Sequence, residues 1–585
     1  MPDSSVDREA RRGVMLVRML RQVLPAILVM LGWTAAAPAT AQVPDPLETT
    51  RRLAQAGAAE LALSRADDLQ PKDPRAPRWA EWEALRVGLL VRLDRDDEAL
   101  KRATPAAERE LPERVARDLW RDTAQAALKL KRGELARRHY ARLLWSGKPE
   151  PSEQRQWRLA VIESYLGDRN VDEAYRSMLR FQQDFQPLER TEAVQFVAAL
   201  LEANRPQDAA TWLGQLDSAS SLAAILRLRA GLIQPDAAIA QGRALAAKGP
   251  DAAGAWRLVQ EAAVAQRNRA VEIEALEQRL ALTDSRAAGE IAAQTAALWR
   301  AYGEVAQQTA NQAHLLTGDD GAWADRASRL AASQPQLARA LFGHLAGAAK
   351  EPGSRGTAQI QLVSSLVESK LGIAALRLYS DPQRHPVATL DPHVRYVLGG
   401  IASQSRQPAV AVSFWSGLAT PAAATPDDWR ARNIIELLRA GRDDAAMAGA
   451  RALVEGGRPV PEDVIVRLAR AAAEALDAYR PRPAEGLYAL VLPRAQAKER
   501  AAILLGLGRA RELLGEFRAA ADAYLVAALA MPETEVGASR AREAAAVNLL
   551  RAGLKDDARA QYQWLARNAR DAAVRESAAR ELARL

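Results

Sequence analysis

An alanine followed four positions later by an aromatic or another apolar residue recurs down most of this chain. Such steps align at Ala99, Ala136, Ala174, Ala209, Ala375, Ala411, Ala446, Ala484, Ala520 and Ala558. Intervals between neighbours include 37 residues from Ala99 to Ala136, 35 from Ala411 to Ala446 and 36 from Ala484 to Ala520. A period of about 34 to 40 residues is that of stacked helical hairpins. One hairpin cannot bury its own apolar face, so each is stable only against its neighbours. The ordinary length prior would split 585 residues into three or four globular domains of about 150 each. A stack of hairpins escapes that prior.

Composition agrees with a thin-layered helical stack. Hydrophobic residues make up 49% of the chain and aromatic ones only 5%, so alanine carries much of the apolar content. Alanine loses no side-chain entropy in a helix and lets helices approach closely. The 80 basic and 72 acidic residues leave a formal charge of +8. The two signs are interleaved, as on solvated helix faces with i, i+4 pairs, and not clustered as in a nucleic-acid groove. No nucleic-acid partner is expected. The chain has no cysteine, which excludes disulfides, thiolate metal sites, covalent haem attachment and lipoprotein acylation.

The N-terminus reads as a targeting segment, residues 1–41. Arg11, Arg12, Arg18 and Arg21 precede an apolar run from Val23 to Trp33, and Ala39-Thr40-Ala41 precedes Gln42. That order is the layout of a secretory signal peptide, and the apolar run is short against the roughly 20 residues a membrane span needs. Cleavage is expected after Ala41, with an uncleaved inner-membrane anchor as the alternative and Met15 as a second candidate start. No later segment is apolar enough to span a membrane. The expected location is the periplasm of a Gram-negative bacterium.

Along the remainder, Thr50 to Leu69 reads as one helix ending at Gln70-Pro71, and a second begins near Pro77. Units from Val115 to Gln186 are regular, with turns at Lys131-Arg132-Gly133 and Gly167-Asp168-Arg169-Asn170. The middle, about Gly231 to Gly356, loses the period. Three prolines between Tyr379 and Pro392 mark the best site for a bend. The expected division is therefore 42–380 and 381–585, each of helical repeats, with a charged helix from Asp571 to Leu585 capping the last layer.

At Leu504 to Pro532 the pattern resembles the tetratricopeptide repeat. Leu507-Gly508 falls at that family's helix-A Leu-Gly pair, Gly515 at the inter-helix turn, and Ala520, Tyr524 and Ala527 at the helix-B small, aromatic, small set. Leu504 and Arg511 stand where the family favours aromatics. The next unit matches at Gly553, Ala558 and Tyr562, with Leu565 and Arg570 as departures. The resemblance implies an all-α, right-handed superhelical solenoid of antiparallel helix pairs. It also implies a groove lined by helix A of each unit, and there Arg509, Glu512, Arg540, Glu543 and Arg551 are the candidate binding residues.

No catalytic, cofactor or metal site is expected. The five histidines (His139, His314, His344, His385 and His393) show no His-x3-His spacing. Only His385 and His393 lie near one another in sequence. There is no phosphate-binding or dinucleotide glycine loop and no Gly-x-Ser-x-Gly elbow. Glu163-Ser164 resembles the catalytic pair of lytic transglycosylases, but the motifs that accompany it there are absent. Twelve of the 13 tryptophans follow the leader, Trp145, Trp157, Trp212, Trp256 and Trp299 among them. Most are expected in buried layers, and some could stack on ligands.

Two functions from different classes remain. The first is a non-enzymatic scaffold holding a protein or peptide, with polysaccharide as a further candidate partner, in envelope or exopolysaccharide assembly. The second is an enzyme or accessory subunit acting on peptidoglycan or a related polymer.

Overall fold

The computed structural model describes residues 45–533 and 535–585; residues 1–41, expected to be a targeting segment, lie outside them. Among the described residues there are 30 α-helices, three short 3-10 helices and no strand. None of these helices is long and apolar enough to cross a membrane. The described residues divide into two compact units, 45–189 and 190–585.

In the first unit four helix pairs follow one another: Pro46–Gln55 with Ala59–Leu69, Trp79–Arg92 with Asp96–Ala107, Glu113–Lys129 with Gly133–Trp145, and Pro151–Gly167 with Val171–Asp184. Each helix packs on the next, and its core runs from Ala54 to Ala160. Thr50 to Leu69, expected as one helix, is in fact the first hairpin. Gly57, at φ +91°, breaks it, because that backbone conformation is readily open only to glycine.

All ten aligned alanines are at most 1% exposed. Each is the fourth residue of its helix, as Ala136 is in Gly133–Trp145 and Ala520 in Phe517–Ala530. Ala62, also fully buried and fourth in its helix, is one more. Of the large residues four positions on, Tyr140, Met178, Tyr379, Trp415, Tyr488, Tyr524 and Tyr562 are at most 7% exposed, while Leu213 is half-buried. Ala520 and Tyr524 share a small core with Ala545 of the following helix and with Leu505 of the preceding one. The repeat period is thus the period of enclosure between successive helices.

A second regularity precedes each alanine by five residues. Asp94, Lys131, Arg169, Asn204, Lys370, Arg406, Gly441, Tyr479, Gly515 and Gly553 all have positive φ. The next residue donates its N–H to a carbonyl five back, as Arg132 does to Ala127 at 2.8 Å and Glu516 to Arg511 at 2.9 Å. This is the left-handed helix terminus that satisfies the last carbonyls and turns the chain back. Seven of the ten are not glycine, so side chains tolerate a conformation that costs an L-residue about 1–2 kcal/mol.

The second unit opens with Arg190–Glu202 and the short Pro206–Ala209 with its 3-10 extension. The pairs Ser221–Arg229 with Pro235–Lys248 and Ala252–Ala265 with Arg269–Leu282 come next. Here the repeat changes. Buried Glu272 occupies the fourth position of its helix in place of alanine, and a 26-residue helix, Ala288–Ala313, follows. After Asp320–Ala331, Pro335–Ala348 again has a buried alanine, Ala338, fourth in its helix, and the pair Pro352–Glu368 and Gly372–Leu378 also restores the left-handed turn, at Lys370. Gly372–Leu378 packs back on Arg269–Leu282, where Arg377 donates to the carbonyls of Leu280 and Thr283.

A buried charge network ties this region. Glu277 and Arg339 are 0% and 2% exposed. Glu277 accepts from the Tyr302 hydroxyl at 2.7 Å and from both Nε, at 2.8 Å, and a terminal nitrogen of Arg339. Arg339 also donates to Ser365 and Ser369 at 3.2 and 3.3 Å. Burial pushes the Glu277 carboxyl upward, and the bonds from Arg339 and Tyr302 oppose it.

Five more pairs complete the unit: Pro392–Gln404 with Pro408–Trp415, Pro426–Arg439 with Asp443–Val454, Glu462–Asp477 with Pro481–Val491, Ala497–Leu513 with Phe517–Ala530, and Val536–Arg551 with Lys555–Asn568. The last helix, Ala572–Arg584, buries only Val574 and Ala578, the polar exterior a terminal layer needs. The expected division at 380/381 falls inside this unit, where one core cluster runs from Ile273 to Trp429 and includes Tyr379 and Leu390. At Gly508 a Cβ would meet the Tyr524 ring at 2.8 Å, which explains the Leu507-Gly508 step.

Two predictions follow from these contacts. Tyr479→Gly should raise unfolding free energy by about 1 kcal/mol, and Gly515→Ala should lower it by a similar amount, as read by chemical denaturation. Arg339→Met should cost about 3–5 kcal/mol by leaving Glu277 unpaired, and Glu277→Leu added to it should recover at least half of that loss in the same assay.

Candidate functional site

Alternate helices, the first of each pair, line one groove in each unit. In the first unit they are Pro46–Gln55, Trp79–Arg92 and Glu113–Lys129, which enclose about 820 Å³. Its charges are mostly internally paired. Arg51 lies 3.6 Å from Glu81, Arg121 lies 3.1 Å from Asp118 and 2.9 Å from Asp122, and Arg92 donates to the Ala54 carbonyl at 2.8 Å. Asp122 lies over Gly88, where a Cβ would meet its Oδ2 at 2.8 Å, and burial raises its pKa.

In the second unit Pro392–Gln404, Pro426–Arg439 and Glu462–Asp477 enclose about 710 Å³. A strip of Val397, Ile401, Ile435 and Ala471 is apolar. Around it stand four arginines and two glutamates. Glu436, 3% exposed, accepts from Ser403 at 2.9 Å and from Arg439 at 2.8 Å. Arg439 also binds Glu474 through two nitrogens, at 2.8 and 3.0 Å. Arg467 pairs with Asp428 and Asp463. The remaining two differ. Arg432 donates only to the Tyr396 hydroxyl, at 3.3 Å, and neither it nor exposed Arg470 forms an ion pair among the described residues.

Arg509 and Glu512 lie on Ala497–Leu513, and Arg540, Glu543 and Arg551 lie on Val536–Arg551. These are the first helices of the next two pairs, as expected, but none of the five lines the groove just described. Four are bound to other parts of the stack. Arg509 is 3.4 Å from Asp477, Arg540 is 3.9 Å from Asp571, and Arg551 is 2.7 Å from Glu512. Glu512 also accepts from the Tyr524 hydroxyl at 3.1 Å. Glu543 is half-buried.

These links belong to a wider ladder. Arg229–Glu261, Arg439–Glu474, Arg480–Asp443, Lys129–Asp94 and Arg551–Glu512 are 32, 35, 37, 35 and 39 residues apart. The repeat period is therefore written in ion pairs as well as in alanines. Within the second groove Arg432 and Arg470 differ from Arg439 and Arg467 in lacking such a partner, and sequence reading could not show which arginines would.

Other sequence candidates are scattered. Trp212, Trp157 and Trp299 are buried, while Trp145 is 85% exposed at a helix end. Glu163 is exposed on Pro151–Gly167, and Ser164 donates to the Val161 carbonyl. His385 lies against Trp299 with ring centroids 5.1 Å apart, whereas His393 is exposed at the start of its helix. No group of three or more metal-binding side chains occurs among the described residues.

Helix pairs with this turn, this buried alanine and this groove make each unit a stack of antiparallel helix pairs, the arrangement that the tetratricopeptide resemblance implies. No protein-family model and no curated protein matches the chain. Solved structures similar to it include Naa15/Naa10 bound to HypK-THB, at 13% identity and a TM-score of 0.29, covering 92% of this chain and 96% of that one. The APC/C hetero-tetramer Cut9-Hcn1 matches at 11% identity and a TM-score of 0.27, covering 92% and 95%. Superposition at that level is loose, and the description of the fold rests on the helix packing itself.

Proposed function

We propose that this chain is a non-enzymatic scaffold that holds an extended, acidic and apolar segment of a partner protein in the groove of its second unit. The observation that carries this reading is the apolar strip between Arg432 and Arg470, two guanidinium groups that form no ion pair in a stack where many arginines do. Three successive first helices present shallow apolar surface, which suits an extended segment more than a compact ligand. Unpaired arginines beside it favour carboxylates, which guanidinium binds through paired donors. The leader-like residues 1–41 support a periplasmic setting, and with it a part in envelope or exopolysaccharide assembly.

A photo-crosslinking residue in place of Ile435 tests this in the native cell envelope. Discrete protein adducts are expected, and Arg432→Glu with Arg470→Glu should reduce them about tenfold or more, since juxtaposed like charges cost several kcal/mol. Adducts indifferent to the double charge reversal, or a defined product released from purified peptidoglycan by the full chain, would contradict the reading.

A further inference from the structure

A third concave site lies where the repeat breaks down. Its walls are the long helix Ala288–Ala313, the helices Pro335–Ala348 and Pro352–Glu368, and the proline-rich loop before Pro392. They enclose about 480 Å³, within the range of about 300–1,000 Å³ common to small-molecule sites. Gly303 and Gly347 widen it, because a Cβ on either would meet nothing within 4 Å.

Its chemistry is unlike that of the two grooves. No aspartate or glutamate lines it, whereas Arg355, Arg384, His344 and His385 do. The Arg384 guanidinium is held 4.9 Å above the Trp299 ring, and its backbone N–H is tied to Asp381. The Asp381 carboxylate is itself engaged by the Gln383 N–H at 2.9 Å. Arg355 is anchored through one terminal nitrogen to the Ala349 carbonyl at 2.9 Å, and its buried Nε has no hydrogen-bond partner. The buried Nε2 of His385 and Nε1 of Trp299 are likewise unpartnered. Buried polar atoms left this way in a native site are costly. The buried carboxylate of Glu277, behind Tyr302, is already paired with Arg339. Burial lowers the pKa of His385 to about 4 and also lowers that of His344, so both present neutral rings at pH 7.

We infer that this cavity binds a small organic oxyanion, a carboxylate or phosphate monoester, between Arg355 and Arg384 with His385 beside it. The two arginines supply charge-assisted donors, and stacking on Trp299 holds Arg384 in place before the ligand arrives. This site is separate from the groove proposed to hold protein.

Calorimetric titration of the full chain with galacturonate, glucose 6-phosphate and glucose tests the assignment. These share ring size and differ in charge. At least one of the two anions should bind at least about tenfold more tightly than glucose, and the tighter one names the oxyanion. Arg384→Gln, at an exposed position, should weaken that anion by about tenfold without moving the melting temperature. Gly347→Leu should do the same by filling the cavity from an open position. Failure of both anions to bind at millimolar concentration, equal affinity for glucose, or anion binding unchanged by both variants would overturn it.

Discussion

The whole stack depends on how closely one helix can approach the next at the fourth residue of the returning helix. Alanine there has no side chain beyond Cβ, and every aligned example from Ala99 to Ala558 is essentially without exposed surface. The aromatic or long apolar residue one turn later then fills the space that the close approach opens beside it, as Tyr524 does against Gly508. Burial of each pair is completed only by its neighbour, which is why a run of such pairs can be long without dividing into ordinary globular domains. The left-handed residue five positions earlier fixes the angle at which the returning helix sets off.

Function is then left to what this packing does not consume. Ion pairs at the repeat spacing tie successive repeats together, and they are half-exposed contacts of the kind worth at most about 1 kcal/mol each. Their larger effect is on recognition, because each one occupies an arginine that could otherwise meet a partner. Arg432 and Arg470 escape the ladder, and so do Arg355 and Arg384 where the long helix Ala288–Ala313 interrupts it. Both candidate sites are thus places where the regular charge pairing is incomplete.

Much of the architecture was legible because alanine, aromatic and spacing all report the same contact. The turns were less so. Glycine marks only Gly441, Gly515 and Gly553 of the ten, and a tyrosine or arginine in a left-handed conformation carries no local signal. The hairpin at Gly57 was hidden because alanines on both sides continue a helical pattern. The middle was opaque because Glu272 takes the alanine's place and the Glu277–Arg339 pair joins residues 62 apart, far outside one repeat. As for the sites, Arg509, Glu512, Arg540, Glu543 and Arg551 were placed on the right class of helix. Whether such a residue is free depends on a partner one repeat away, and that register is set by three-dimensional packing.

The central claim is that enclosure at the fourth position, and not alanine's helix propensity, holds the stack together. Ala446 and Ala445 separate the two, since they are adjacent in Asp443–Val454 and only Ala446 is buried. Leucine matches alanine closely as a helix former. Equilibrium denaturation of Ala446→Leu should show a loss of about 1–3 kcal/mol from overpacking, with Ala445→Leu within about 0.5 kcal/mol of the parent. Equal effects at the two positions, or a stack that accepts leucine at Ala446 without loss, would contradict the account.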